Sequence, residues 1–183
     1  MSEILRDGNC CFKPTKKVVS LECGCRPQDA HFEIDDGKVK CGQFFVLDRV
    51  FVDTTKLDNP TVKIEFSSQI FFEAEDEEGR EHEVEVDLLF KLIKTCNGKS
   101  ECLQTWRYLY EIDVENCIEE LEVEIAQPFT VTFCDKACPC DKGGCCEYKI
   151  VVEGKDFEGE FDALKVTKPD LSAIVQGFED NCK

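Results

Sequence analysis

Val62-Lys63-Ile64-Glu65-Phe66-Ser67-Ser68-Gln69-Ile70-Phe71-Phe72 and, one loop later, Val84-Glu85-Val86-Asp87-Leu88-Leu89-Phe90-Lys91-Leu92 decide the fold. In the first run Val62, Ile64, Phe66, Ile70 and Phe72 fall on alternate positions, with Ser68 the only polar member. In the second, Val84, Val86, Leu88, Phe90 and Leu92 do the same. Successive side chains of a strand point to opposite faces, so each run has one apolar face and one mostly polar face. Helical spacing fits neither, because positions i, i+3 and i+4 mix Glu with Phe. Both runs predict half-buried strands, with Asp76-Glu77-Glu78-Gly79 as a hairpin loop between them.

The same alternation extends in both directions. Residues 1–17 read as a connector arm, because Pro14 cannot donate to a ladder and Thr15-Lys16-Lys17 is polar. The body, residues 18–183, opens with Val18 to Cys23. Turns follow at Arg26-Pro27-Gln28-Asp29 and Asp35-Asp36-Gly37, and Phe44 to Val52 is apolar enough for a strand buried on much of both faces. Asn97-Gly98 marks a hairpin between Cys96 and Cys102. Beyond it Trp106, Tyr108, Tyr110 and Ile112 share a face. Leu121-Val123-Ile125, Phe129-Val131-Phe133 and Tyr148-Ile150-Val152 alternate in turn, and Phe161 to Val166 ends the series. Pro169 to Gly177 predicts one short C-terminal helix, with proline at its start and glycine at its end. Roughly nine or ten strands at such spacing predict one all-β domain, a jelly-roll-like antiparallel β-sandwich.

The chain has 183 residues, 42 % of them hydrophobic, with 14 Phe, which is enough for a real core. No apolar run approaches membrane-spanning length. A formal net charge of −17 argues against nucleic acid and anionic membranes as partners. The charge is uneven. Arg6, Lys13, Lys16 and Lys17 against Glu3 and Asp7 leave the arm at +2 and the remainder at −19. A basic arm on an acidic body suits docking onto a neighbouring copy.

Fourteen cysteines are far above ordinary usage. Yet Met1 to Asp7 has no apolar core of a secretory signal, so synthesis without a signal peptide is expected. Thiols stay reduced in most cytosols. The cysteines therefore bind metal, or the cytosol is oxidising, or oxidation follows cell lysis.

Catalysis has little support. There are two histidines, no nucleophile elbow, no phosphate loop and no dinucleotide fingerprint, so no enzyme and no cofactor is expected. The cysteines carry the signal. Cys10 and Cys11 in an extended arm face two different surfaces, which suits a connector to other copies. Cys96 and Cys102 flank a tight hairpin and are expected to bridge across it, with buried thiols as the alternative. Cys134, Cys138, Cys140, Cys145 and Cys146 crowd one loop. They read as disulfide partners, with a soft-metal site as the alternative. Cys23 and Cys25 share a strand face, which suits an incoming thiol or an internal bridge. Cys41, Cys117 and Cys182 have no assignable partner. Trp106, Tyr108 and Tyr110 offer a sugar-stacking face, but a sandwich core would claim the same face.

Two resemblances rest on these residues. Leu21 to Ala30, Phe45-Val46-Leu47-Asp48-Arg49-Val50 and Phe129-Thr130-Val131-Thr132-Phe133-Cys134 resemble a family of Cys-rich clostridial proteins of unknown function. Asn9-Cys10-Cys11 on a short arm ahead of a β-sandwich resembles the subunits of bacillar endospore appendages. That second resemblance implies intermolecular disulfides from Cys10 and Cys11 to acceptors in other subunits. The early acceptor would be Cys23 or Cys25, and the late one Cys145 or Cys146. It also implies accumulation in a mother cell and oxidation around lysis. The expectation is a structural subunit that polymerises with itself into a disulfide-crosslinked extracellular fibre on a spore or cell surface. The alternatives are a crosslinked spore-coat or envelope protein without ordered polymer, and a Cys-rich metal-binding module.

Overall fold

The computed structural model describes residues 16–76, 81–115, 121–136 and 145–179. Its strands are β1 (Lys17–Cys23), β2 (Ala30–His31), β3 (Ile34–Asp35), β4 (Lys38–Val39), β5 (Phe44–Asp53), β6 (Leu57–Asp76), β7 (Glu81–Cys96), β8 (Lys99–Glu115), β9 (Leu121–Lys136), β10 (Cys145–Glu158) and β11 (Glu160–Glu179). One sheet runs β1-β11-β6-β9, with β2 also on β11. A second runs β5-β10-β7-β8, and β3 pairs with β4. All pairings are antiparallel. Taken alone, the eight long strands are ordered first-eighth-third-sixth and second-seventh-fourth-fifth, which is the jelly-roll arrangement of two Greek keys.

The Val62–Phe72 and Val84–Leu92 runs do form strands, and their apolar faces are buried: Val62, Ile64, Phe66, Ile70 and Phe72 on β6, and Val84, Val86, Leu88, Phe90 and Leu92 on β7. They do not form a hairpin. β6 and β7 belong to different sheets, so the chain crosses the sandwich between them. Their apolar faces meet through the core instead, with the Phe66 and Phe90 rings 6.3 Å apart. Phe129 stacks on Phe90 at 4.0 Å, and Tyr110 meets Phe72 edge-on at 5.1 Å. Tyr108 is buried, and Trp106 and Tyr110 pack against the same core, so this aromatic face is core.

The expected helix over 169–177 is a strand, the second half of β11. Leu171, Ala173 and Val175 are buried while their neighbours are not, a period of two that the flanking Pro and Gly obscured. Pro169 lies in a β-bulge, where Lys168 and Pro169 together stand opposite Ser68. Lys168 has φ 52°, and its backbone N–H donates to Asp29 Oδ1 at 2.9 Å.

One side of the sandwich is laced shut by the chain after β1. Gly24 N–H donates to Leu171 O on β11, then Cys25 and Gln28 N–H donate to Arg49 O and Leu47 O on β5. Asp48, buried beneath this crossing, accepts from the backbone N–H groups of Arg26, Arg49 and Leu171. A second inter-sheet tie lies at the end where β10 begins. Lys94 on β7 donates to Asp135 on β9 at 2.6 Å, and Tyr148 on β10 donates to the same oxygen at 2.8 Å.

Candidate cross-linking surface

Strand alternation sorts the thiols. Cys146 is in phase with Tyr148, Ile150 and Val152 and is buried, whereas Cys145 is exposed. Cys96 is in phase with Leu92 and Lys94 on the inward face of β7. The register sets Cys96 directly opposite Cys146, and the two form a disulfide with Cα atoms 4.5 Å apart. That separation suits a non-hydrogen-bonded antiparallel pair.

The expected Cys96–Cys102 bridge is therefore replaced. Asn97 and Gly98, at φ 52° and 74°, are the two central residues of the turn, so Cys96 faces Lys99 and Cys102 faces Ile93. Cys102 is a free, exposed thiol. The bond to Cys96 also removes Cys146 from the candidate acceptors, and from the alternative metal-binding set of Cys134, Cys138, Cys140, Cys145 and Cys146. Among the described residues no group of His, Cys, Asp and Glu is placed to hold a metal ion. Cys10, Cys11, Cys117, Cys138, Cys140 and Cys182 lie outside the described residues.

Cys23, Cys25, Cys41, Cys102, Cys134 and Cys145 are free and exposed. Free cysteine is ordinarily among the most buried residue types, which makes this exposure unusual. Four of these residues divide between the two outer faces, and two lie in loops. On the first sheet, the row Leu21, Ile174, Lys63, Cys134 crosses β1, β11, β6 and β9, and Cys23 sits one outward position beyond Leu21. On the second sheet, the row Arg49, Lys149, Ile93, Cys102 crosses β5, β10, β7 and β8, and Cys145 pairs with Asp53. Cys25 follows β1 at the β5 edge, and Cys41 lies in the loop between β4 and β5. The structure thus keeps Cys23, Cys25 and Cys145 available as acceptors. It adds Cys41, Cys102 and Cys134, which sequence reasoning did not single out as surface thiols. For Cys134 the signal was there, since it is out of phase with the inward Phe133.

Their surroundings differ. Burial of the Cys145 sulfur pushes its thiol pKa up, and Asp53 and Glu22 add to this, against a backbone N–H bond from Val52. Cys134 lies opposite Lys63, whose ammonium is held charged chiefly by its bond to Glu65.

The fold and its surface define a class: an antiparallel β-sandwich with free thiols on the outside of both sheets. The chain belongs to the family described as "Domain of unknown function (DUF4489)", which it matches over residues 18–176. No curated protein matches. Among solved structures the chain is similar to one from "Structure of infectious bursal disease virus Gx strain", at TM-score 0.40 and 10 % identity, covering 91 % of this chain and 33 % of that one. A second likeness, to "Crystal structure of infectious bursal disease virus VP2 subviral particle", has TM-score 0.24 and 8 % identity, covering 90 % of this chain and 42 % of that one. The chain thus spans about a third to two fifths of the viral chains it matches.

Proposed function

We propose that this chain is a structural subunit, not an enzyme, that self-assembles into a disulfide-crosslinked extracellular fibre on a spore or cell surface. The observation that carries the reading is the set of exposed free thiols among the described residues, four on the two outer faces and two in loops. Exposed thiols on both sides let a subunit be held covalently by neighbours on each side. Cys10 and Cys11 of the arm are the proposed donors. Cys23 or Cys25 is the early acceptor. Cys145 is the late acceptor, since the sulfur of Cys146 is already bonded to Cys96. Edge strands β1, β5, β8 and β9 supply backbone for sheet augmentation between subunits, and heterologous contacts that do not close give filaments.

Native material run on gels without and with reductant tests this. High-mass ladders that collapse to one band with reductant are expected, and a single monomer band without reductant refutes it. Peptide mapping should place Cys10 and Cys11 in bonds to other copies.

A second reading is an amorphous crosslinked coat or envelope layer. The scatter of thiols over both faces and two loops favours it, because an ordered polymer needs fewer acceptors. Electron microscopy separates the two by the presence or absence of regular fibres.

A further inference from the structure

The outer face of the β1–β11 corner differs from the rest of the surface. Val19 and Leu21 are 60 % and 63 % exposed, and Phe178 is 43 % exposed. The register brings them together. Lys17 pairs with Phe178, Val19 with Gln176, Leu21 with Ile174, and Cys23 with Ser172. Val19, Leu21, Cys23, Ser172, Ile174 and Gln176 are six adjoining outward positions without a single charge, in a chain where 33 % of residues are charged. Lys17 stands at one end of this patch and Asp170 at the other, and on β6 the ion-paired Lys63 and Glu65 border it opposite Ile174 and Ser172.

We infer that this patch is a self-association surface whose occupant is the same patch of a second copy, packed face to face about a two-fold axis. Charge selects the occupant. Two copies at −17 each repel wherever carboxylates meet, and an uncharged face whose β6 border is the Lys63–Glu65 ion pair is where that repulsion is least. Size decides how it is held. Such a patch offers a few hundred Å², short of the ~800 Å² per partner of a standard stable interface. Apolar contact alone therefore gives a weak, reversible pair. Cys23, one outward position beyond Leu21, completes it with a disulfide between the two copies. The two Cys23 thiols lose two protons and two electrons to a low-molecular-weight disulfide, which leaves as two thiols, and one sulfur–sulfur bond forms between chains. This pairing uses no arm cysteine, and where it forms it leaves Cys25 as the early acceptor for the arm-mediated links proposed above.

The test uses the full chain with Cys10→Ser and Cys11→Ser, so that arm-mediated links are absent and their failure is not confused with this one. After incubation with glutathione disulfide, non-reducing gels should show a dimer. Adding Cys23→Ser should abolish that dimer, and adding Leu21→Glu, at an exposed position that cannot unfold the core, should lower its yield at least tenfold. Adding Cys102→Ser, on the opposite face, should leave it unchanged. Sedimentation velocity in reductant should show a concentration-dependent pair that Leu21→Glu removes. A dimer that survives Cys23→Ser, or no dimer at all, overturns the proposal. So does a dimer that forms only when residues 1–15 are deleted, because those residues would then be the occupant.

Discussion

Gly24 is held against Asp48 so closely that a Cβ at position 24 would lie 1.9 Å from Asp48 Oδ2 and 2.9 Å from Leu171 O. The glycine lets the chain leave β1, beside β11, and cross to β5 directly over a buried carboxylate. Gly24→Ala should therefore cost about 1–3 kcal/mol by overpacking. Asp48→Ala should cost more, because the N–H groups of Arg26, Arg49 and Leu171 lose their acceptor, at about 1–3 kcal/mol for each one left buried. Urea midpoints of the two variants check this. An Asp48→Ala protein as stable as wild type would rule out the carboxylate as the clasp.

Cys96 and Cys146 are 50 residues apart in sequence. Replacing both with serine should lower stability by about 2–4 kcal/mol, whereas Cys102→Ser should change it by less than about 0.5 kcal/mol. Denaturation of the three proteins, each compared with and without reductant, measures the difference. Reductant should destabilise wild type and Cys102→Ser and leave the double variant unmoved.

Lys94 and Asp135 are nearly buried, and Tyr148 shares the Asp135 oxygen. Asp135→Ala should destabilise by about 3–5 kcal/mol because the ammonium is left without its partner. Adding Lys94→Met should restore much of the loss. A double variant no better than the single one would show that the charge itself was not the cause.

Both outer faces carry carboxylates directly opposite one another at the end where β7 begins. Burial, and then Glu158, Asp113 and Glu111, raise the pKa of Glu83. Burial, and then Asp156, Glu111, Asp87 and Glu83, raise that of Glu85. A carboxylate whose folded pKa is raised costs stability above that pKa and regains it as pH falls toward the unfolded value of about 4.3. Acidification from neutrality should therefore first stabilise the fold. Below that window Glu153, whose carboxylate Lys91 and Lys155 hold down, protonates, and stability is lost. Glu83→Gln with Glu85→Gln should raise the urea midpoint at pH 7 and flatten the first limb. An unchanged limb would mean that other groups produce it.

The Cys145 thiolate is disfavoured by burial and by Asp53. Its alkylation by iodoacetamide should reach half-maximal rate above the ordinary thiol range, and Asp53→Asn should move that midpoint down. Mass-spectrometric rates for the Cys145 peptide from pH 7 to 10 decide it. If the profile does not respond to Asp53→Asn, the carboxylate plays no part.

Alternation is a local property, so the amino-acid sequence alone determined most of the long strands, their inward residues and the two-residue turn at Asn97-Gly98. It also carried the inward phase of Cys96 and Cys146 and the outward phase of Cys145 and Cys134. Only the tertiary structure decided which strands are neighbours. The crossing between β6 and β7 and the pairing of β10 with β7 bring together residues far apart in the chain, and no spacing rule records them. Cys146 found Cys96 rather than an incoming thiol for that reason. The second half of β11 became a strand because β1 and β6 on either side satisfy its backbone N–H and C=O groups, which a Pro–Gly frame read in isolation assigned to a helix.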